Sequence, residues 1–166
     1  MIEILRLGHR IVRDKRISTH LALVGRAFGA DKFILCGQKD DGILKTVNSV
    51  VSRFGGSYEI VYEKDYIKYL KEKKKKGFKI VHLAMYGLEF KKNIKKLKGD
   101  FVLVLGGEKV PPEIYELADY NLSVTNQPHS EVAALGVFLD NYFSGEYKKF
   151  DGKIRIKPSV KGKEFY

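Results

Sequence analysis

The chain has 166 residues, a length that suits one domain, and 44% of them are hydrophobic, which is enough to fill one core. Its apolar runs are short and Met1 leads directly into a strand-like segment, so neither a membrane span nor a signal peptide is expected. The lone Cys36 excludes an internal disulfide and is interpreted as a small buried hydrophobe. We therefore expect a cytoplasmic protein.

The net charge of +11 and the pI near 9.6 favour a phosphate-rich partner, because binding to such a chain releases counterions. Lysine enrichment is also typical of hyperthermophile surfaces, and the lysines alone leave the two interpretations open. The arginines are different, because most of them are concentrated in the first 26 residues. They are Arg6, Arg10, Arg13, Arg16 and Arg26.

Six apolar runs separated by helix-like segments predict an α/β fold, with a mostly parallel open sheet covered by helices on both faces. The predicted strands are Ile2 to Leu7, Lys32 to Cys36, Tyr58 to Tyr62, Lys79 to Ala84, Phe101 to Leu105 and Tyr120 to Val124. The predicted domain covers residues 1–147. Residues 148–166 form a basic C-terminal extension that could contain one short strand.

The first helix is predicted to begin with Ser18 or Thr19 as its N-cap and to stop at Gly29. The last long helix should begin at Ser130 and end before Gly145. The segment before the first helix is interpreted as a loop so rich in arginine that it would repel itself without a bound anion. Arginine can bind phosphate with two hydrogen bonds and can stack on bases, so this segment is predicted to contact RNA, with surface ion pairing as the alternative. The predicted RNA-binding residues are Arg6, His9, Arg10, Arg13 and Arg16.

Two polar loops follow the fifth and sixth predicted strands. The first is Gly106-Gly107-Glu108-Lys109, whose glycines let the backbone approach a ligand, and a helix should start after it at Pro111 and Pro112. The second runs from Thr125 to Ser130 into a helix N-terminus. Ligands of open parallel sheets bind beyond the carboxyl ends of the strands, so the loops predict one pocket, with ordinary loop chemistry as the alternative.

Several common sites are absent from the sequence. It contains neither a Gly-x-Gly-x-x-Gly after the first strand nor a P-loop, which argues against dinucleotide dehydrogenases, P-loop NTPases and Rossmann-type methyltransferases. The four histidines are scattered and there is no cysteine pair, so no metal site is expected.

Three blocks of sequence resemble the SPOUT class of methyltransferases, and most closely the archaeal tRNA (cytidine-56)-2′-O-methyltransferases. The blocks are Arg6-Leu-Gly-His-Arg10 with its continuation to His20, Leu105-Gly-Gly-Glu-Lys-Val110, and Asn126-Gln-Pro-His-Ser-Glu-Val-Ala-Ala-Leu135. The resemblance implies a deep trefoil knot, a homodimer with tRNA as substrate, and bound S-adenosylmethionine. It also implies that the helix from Ser130 to Phe143 could be buried by the partner rather than by its own sheet. The implied cofactor-binding residues are Leu83, Leu105, Gly106, Gly107, Glu108, Lys109, Val124, Thr125, Asn126, Gln127, Pro128, His129, Ser130 and Glu131.

The resemblance further implies that Arg26 takes part in catalysis, because relatives that methylate ribose carry an arginine in the first-helix motif. A charged guanidinium suits the orientation of a hydroxyl and a phosphate better than it suits proton removal. The proton acceptor is left open between His129 and His20, since the wider group has asparagine at both positions. Two alternatives to cytidine 2′-O-methylation remain: a catalytically silent RNA-binding or ribosome-assembly protein, and a SPOUT enzyme that modifies another nucleotide or a base.

Overall fold

The computed structural model describes residues 1–107 and 109–166, so the predicted role of Glu108 lies outside the described residues. Six strands form one sheet in the order β3-β2-β1-β5-β4-β6, and every neighbouring pair is parallel. The strands are β1 (Ile2–His9), β2 (Lys32–Gly37), β3 (Glu59–Tyr62), β4 (Lys79–Glu89), β5 (Phe101–Leu105) and β6 (Tyr120–Ser123). The predicted parallel α/β sheet and its six strands are confirmed.

Helices cover both faces of the sheet. They are α1 (Ile11–Ala27), α2 (Asp41–Phe54), α3 (Tyr66–Lys75), α4 (Phe90–Asn93) with a 3₁₀ turn at Ile94–Lys96, α5 (Pro112–Leu117) and α6 (Glu131–Phe143). One core cluster joins the sheet to α1, α2, α4 and α6 through residues such as Leu21, Ile43 and Phe138. The second cluster joins the other face to α3 and α5 through Leu70 and Ile114. Since both faces are covered, the strands are almost continuously apolar.

The start predicted for α1 is wrong, because the helix begins at Ile11 rather than after Ser18 or Thr19. Arg10 is the N-cap residue, and the Asp14 carboxylate in the first turn accepts hydrogen bonds from the Arg10 backbone N–H at 3.1 Å and from its Nε at 3.0 Å. A negative charge in the first turn also favours the helix dipole. Most of the segment interpreted as a self-repelling loop is therefore helix.

The helix α6 begins and ends as predicted, with the Ser130 hydroxyl accepting a hydrogen bond from the Val132 N–H. Its apolar face packs within its own chain, where Leu135, Phe138 and Leu139 are fully buried. The expectation that a partner rather than its own sheet buries this helix is therefore wrong for that face.

The strands β4 and β6 interlock closely. Leu122 of β6 pairs with Leu83 and again with Leu88, because the intervening residues of β4 loop away from the sheet. A Cβ atom added to Gly87 would lie 2.5 Å from the carbonyl carbon of Leu122, so the returning chain passes directly against β6. The trefoil knot itself stays a prediction.

The extension 148–166 packs against the body of the protein. It contains a small antiparallel hairpin, β7 (Ile156–Lys157) with β8 (Glu164–Phe165), in place of the single short strand that the sequence suggested. A Cβ atom on Gly55 would lie 2.5 Å from the carbonyl oxygen of Asp151, and one on Gly152 would lie 2.3 Å from the backbone of Phe54. Glycine at these positions lets the extension pack backbone to backbone against the end of α2.

Candidate active site

A cavity of about 450 Å³ lies at the carboxyl ends of β4 and β5, next to the start of α6. It is of the size that small-molecule sites usually have. Of the predicted cofactor-binding residues, the structure brings seven together in its lining. They are Leu83, Leu105, Gly106, Gly107, Pro128, His129 and Glu131. The two loops that the sequence singled out therefore form one pocket.

The glycine loop is tightly packed at Gly106, whereas Gly107 has ordinary contacts with its surroundings. A Cβ atom on Gly106 would lie 2.0 Å from Cγ2 of Val110, and one on Gly107 would lie 3.5 Å from a guanidinium nitrogen of Arg6. The loop backbone is exposed to the cavity beside the apolar side chains of Leu83 and Leu105. Such a lining fits a nucleoside-containing cofactor, with backbone groups for polar atoms and apolar side chains for an aromatic ring.

The second loop is tied to the loop that leaves β4. The side-chain amide of Asn126 donates hydrogen bonds to the carbonyl oxygens of Met85 at 2.6 Å and Gly87 at 3.2 Å, and to the Ser123 hydroxyl at 3.1 Å. Asn126 therefore shapes the pocket from outside its lining. The other predicted cofactor residues outside the lining are Lys109, Val124, Thr125, Gln127 and Ser130.

Five pocket residues were missed by the sequence analysis. Ala84, Met85 and Tyr86 line the cavity because the chain loops out within β4, whereas Tyr115 enters it from α5 and Ala134 from α6. The Tyr115 ring packs edge-on against the buried His82 with centroids 4.6 Å apart, and His82 also shares a 2.9 Å hydrogen bond with Asn121. The loop's departure from the sheet depends on tertiary pairing, so no local sequence signal could have found these residues.

An ion pair lies beneath the pocket. Arg6 projects from β1 with only 2% of its side chain exposed, and its guanidinium lies 3.3 Å from the Glu131 carboxylate. Arg6 also donates a 3.0 Å hydrogen bond to the carbonyl oxygen of Leu7. Burial raises the pKa of Glu131, and the Arg6 charge opposes that rise. Arg6 therefore supports the pocket wall. Its predicted RNA contact is wrong, because its side chain is not exposed at the protein surface.

His9 is also buried, so the prediction that it contacts RNA is wrong. Its Nδ1 shares a 2.9 Å hydrogen bond with the Ser18 hydroxyl, and its Nε2 lies 3.6 Å from the Asp40 carboxylate. Asp40 in turn accepts hydrogen bonds from the N–H groups of Gly42 and Ile43 and so caps α2. Burial lowers the pKa of His9 despite the opposing charge of Asp40. The group joins β1, α1 and α2 in the interior.

The remaining predicted RNA-binding arginines are exposed. Arg10, Arg13 and Arg16 lie at the start of α1, and Arg13 also lines the cofactor pocket. We call these three residues the basic face. Because Arg13 lines the pocket, it places positive charge where a phosphate chain would approach a reacting atom.

The two candidate proton acceptors differ in position. His129 lines the pocket, and its Nδ1 lies 2.6 Å from the carbonyl oxygen of Gln127. A carbonyl oxygen can only accept, so Nδ1 carries the proton and the neutral ring keeps a free lone pair on Nε2. His20 is exposed on α1 and does not line this cavity.

Arg26 is not brought together with the pocket of its own chain. It lies near the end of α1, whereas Arg13 at the pocket lies near the start, and thirteen residues of helix separate them by about 20 Å. The Arg26 guanidinium donates a 2.6 Å hydrogen bond to the carbonyl oxygen of Gly55 and lies 4.7 Å from the centroid of the Phe150 ring. Burial lowers the pKa of its guanidinium below the usual value.

Other kinds of site receive no support from the described residues. In residues 1–107 and 109–166, no three His, Cys, Asp or Glu side chains are grouped so that they could hold a metal ion. No helix in that part of the chain has the length and apolar character needed to cross a membrane. Cys36 is buried as predicted, and burial raises the pKa of its thiol to about 12.

Solved structures with a similar fold are RNA methyltransferases. The chain superposes on the A. aeolicus TrmH/SpoU tRNA modifying enzyme with a TM-score of 0.62 and 19% identity, over 87% of this chain and 74% of that one. It also superposes on the SpoU methyltransferase AviRb from Streptomyces viridochromogenes in complex with AdoMet, with a TM-score of 0.61 and 13% identity, over 87% of this chain and 57% of that one. The SPOUT fold predicted from the resemblance is confirmed.

The sequence relatives are more similar. The tRNA (cytidine(56)-2′-O)-methyltransferase of Methanocaldococcus jannaschii is 51% identical over 98% of this chain and 94% of its own length. The Thermococcus kodakarensis enzyme of the same name is 49% identical over 99% of this chain and 96% of its own length. The family model for tRNA ribose 2′-O-methyltransferase, aTrm56, matches residues 54–166. With this similarity along nearly the whole chain, the protein belongs to the aTrm56 family of tRNA ribose 2′-O-methyltransferases.

Proposed function

We propose that this protein transfers a methyl group from S-adenosylmethionine to the ribose 2′-hydroxyl of cytidine 56 in tRNA. The observation that carries the proposal is the pocket itself, in which the glycine loop and the Pro128–Glu131 segment meet at the carboxyl edge of the sheet and Arg13 of the basic face joins the lining. Relatives that share about half of their residues with this chain bear the name of that activity.

The residues around the cavity fit S-adenosylmethionine. The backbone of Gly106 and Gly107 would hold its polar atoms, Leu83 and Leu105 would flank the adenine, and Glu131 would offer a carboxylate to a cationic group. The Glu131 carboxylate is already paired with Arg6 at 3.3 Å, so a cationic group of the cofactor would share that carboxylate with the arginine. When bound, the cofactor supplies an electrophilic methyl group on a sulfonium.

The residues of the chain then have to orient the hydroxyl and accept its proton. Transfer of the methyl group from the sulfonium would leave a neutral thioether and release the hydroxyl proton, which a residue of this chain would accept. His129 is the better acceptor of the two candidates, because it lines the pocket and its Nδ1 is engaged by the Gln127 carbonyl, which leaves Nε2 as the nitrogen that could accept a proton. Arg26 would hydrogen-bond the hydroxyl or its neighbouring phosphate.

Arg26 can act at such a site only if a second copy of the chain provides it. About 20 Å of helix separates it from the pocket of its own chain, and a symmetric dimer can bring one end of α1 to the partner's pocket. The homodimer implied by the resemblance is therefore part of the proposal.

Two measurements test the proposed function. Mass spectrometry of nucleosides from unmodified tRNA treated with the protein should show 2′-O-methylcytidine, whereas a methylated base or another nucleoside would contradict the assignment. Calorimetry should show binding of S-adenosylmethionine to the wild type. The Gly106→Ala variant should weaken that binding at least about tenfold, because its methyl group would collide with Val110 and displace the loop that lines the pocket. A wild type that does not bind the cofactor would refute the enzyme assignment.

A further inference from the structure

A second cavity, of about 610 Å³, lies between the body of the protein and the C-terminal extension. The ends of α1 and α2 contribute Arg26 and Phe54, and the extension contributes Lys149, Phe150 and Arg155. It lies at the end of α1 opposite to the cofactor pocket and shares no lining residue with it. Nothing in the proposed cofactor chemistry uses the side chains that the extension contributes.

The cavity is built and is not a gap under a loose tail. Close backbone contacts at Gly55 and Gly152 hold the extension against α2, and the Ile154 N–H donates a 2.8 Å hydrogen bond to the carbonyl oxygen of Arg53. A Cβ atom on Gly56 would lie 2.8 Å from the Phe150 ring, so that ring is also held in place. The volume of the cavity lies in the usual range of small-ligand sites and is sufficient for a nucleotide.

The lining has the chemistry of a nucleotide site. Its charged members are all cations, Arg26, Lys148, Lys149 and Arg155, and they stand beside aromatic rings. Lys148 forms a salt bridge with Asp31, and Arg155 forms one with Asp151. Both carboxylates lie outside the cavity lining. Cations bind phosphate, whereas aromatic rings and guanidinium planes stack on bases. A purely structural cluster would need no such excess of positive charge.

An unsatisfied buried group in this wall points to a ligand. Arg26 is 7% exposed, and its Nε has no hydrogen-bond partner among the described residues, although the same guanidinium is held by Gly55 and stacks on Phe150. Buried polar groups are nearly always paired, so an unpaired donor in a cationic cavity favours an acceptor from a bound molecule.

We propose that this cavity receives one nucleotide of the tRNA substrate, with its phosphate bound by Lys149 and Arg155 and its base stacked against the aromatic wall. The proposal rests on the proposed RNA substrate and extends it by giving the basic extension a function. It also places an RNA contact beside Arg26, on the side of the chain away from the basic face.

The test compares tRNA binding by charge-reversal variants. Lys149→Glu/Arg155→Glu changes two cavity cations, and Lys161→Glu/Lys163→Glu makes the same change of net charge in the same extension outside the cavity lining. The affinity ratio between about 50 and about 200 mM salt should fall about 3.5-fold for the cavity variant, because loss of the one phosphate contact lowers the salt slope by about 0.9. The control variant should keep most of the wild-type slope.

A neutral variant separates the cavity from general electrostatics. Phe54→Leu keeps the charge and should weaken tRNA binding about fivefold or more through lost stacking. Equal slopes for the two charge variants, or wild-type affinity for Phe54→Leu, would overturn the proposal. If the glutamate variant does not fold, Lys149→Ala/Arg155→Ala replaces it with the same criterion. If the wild-type protein methylates tRNA and the cavity variants bind tRNA with wild-type affinity, only this inference is refuted. If the wild-type protein binds no cofactor, the proposed function is refuted.

Discussion

Removal of the Glu131 charge should destabilise the protein substantially, because Arg6 beneath it is almost fully buried. At 3.3 Å, a pair of unit charges in a medium of effective dielectric constant about 20 attract by about 5 kcal/mol. Breaking a buried pair from one side costs about 3 to 5 kcal/mol, since the remaining charge loses its partner without regaining water. We expect Glu131→Gln to fall in that range.

The reverse variant should cost less. In Arg6→Met, the remaining Glu131 is 28% exposed, so its carboxylate can reach water or take up a proton. Its pKa is already raised by burial, and loss of the Arg6 charge removes the influence that opposes that rise. A cost of about 2 to 3 kcal/mol is expected for Arg6→Met, near the upper end of what an unsatisfied buried polar group costs.

The double variant Arg6→Met/Glu131→Leu decides whether the pair is coupled. It leaves no unpaired charge and should be clearly more stable than the sum of the two single effects, by about 2 kcal/mol or more. Denaturation by guanidinium chloride in the absence of cofactor measures the free energy of unfolding of all three variants. Additive effects within about 0.5 kcal/mol, or a loss below about 1 kcal/mol for Glu131→Gln, would refute the buried ion pair.

Three further predictions concern catalysis and pH. Arg26→Ala should abolish methyl transfer while calorimetric cofactor affinity stays within a few fold, and near-normal rates would exclude Arg26 from the site. His129→Ala should lower kcat by about 100-fold or more, and His20→Ala, its control, much less; equal effects would remove the distinction between them. Burial lowers the pKa of His9 and His82, so the unfolded chain takes up protons first as pH falls. The stability contributed by these histidines should therefore be complete above about pH 6.5 and decline below it, by up to about 1.4 kcal/mol per pH unit for each histidine. The His82→Gln variant should show a smaller decline when denaturation curves are measured from about pH 8 to about pH 5.

The sequence predicted those features that depend on local rules. Parallel strands end at one edge of a sheet, so the glycine loop after Leu105 and the loop before Ser130 had to approach each other once the strands were assigned. The hydroxyl of Ser130 and Pro112 at the first position of α5 likewise mark helix starts by short-range chemistry. The structure confirms each of these features.

The errors concern residues whose environment is set at long range. Arg6 looked like part of an exposed basic cluster because Glu131, its partner, is far away in the sequence. The start of α1 was placed too late because charge density was taken as evidence for a loop, whereas Asp14 hydrogen-bonds Arg10 at the start of the helix and both Arg13 and Arg16 are exposed. Burial and tertiary pairing decided both cases, and neither is visible in local periodicity.

The positions of the two cavities lead to a final prediction about assembly. Within one chain the cofactor pocket and Arg26 lie at opposite ends of α1, so a functional site that needs both must combine two copies. A mixed dimer can test this directly. One subunit would carry Arg26→Ala with an intact pocket, and the other would carry Gly106→Ala with an intact Arg26.

If Arg26 acts across the dimer, each mixed dimer regains one complete site from two inactive chains. Random assembly makes about half of the dimers mixed, so about a quarter of the wild-type sites should return after the chains are unfolded and refolded together. If Arg26 acts only within its own chain, no combination restores activity. Recovery near a quarter, with each variant inactive alone, would require the shared site, because no single subunit then contains both the intact pocket and Arg26.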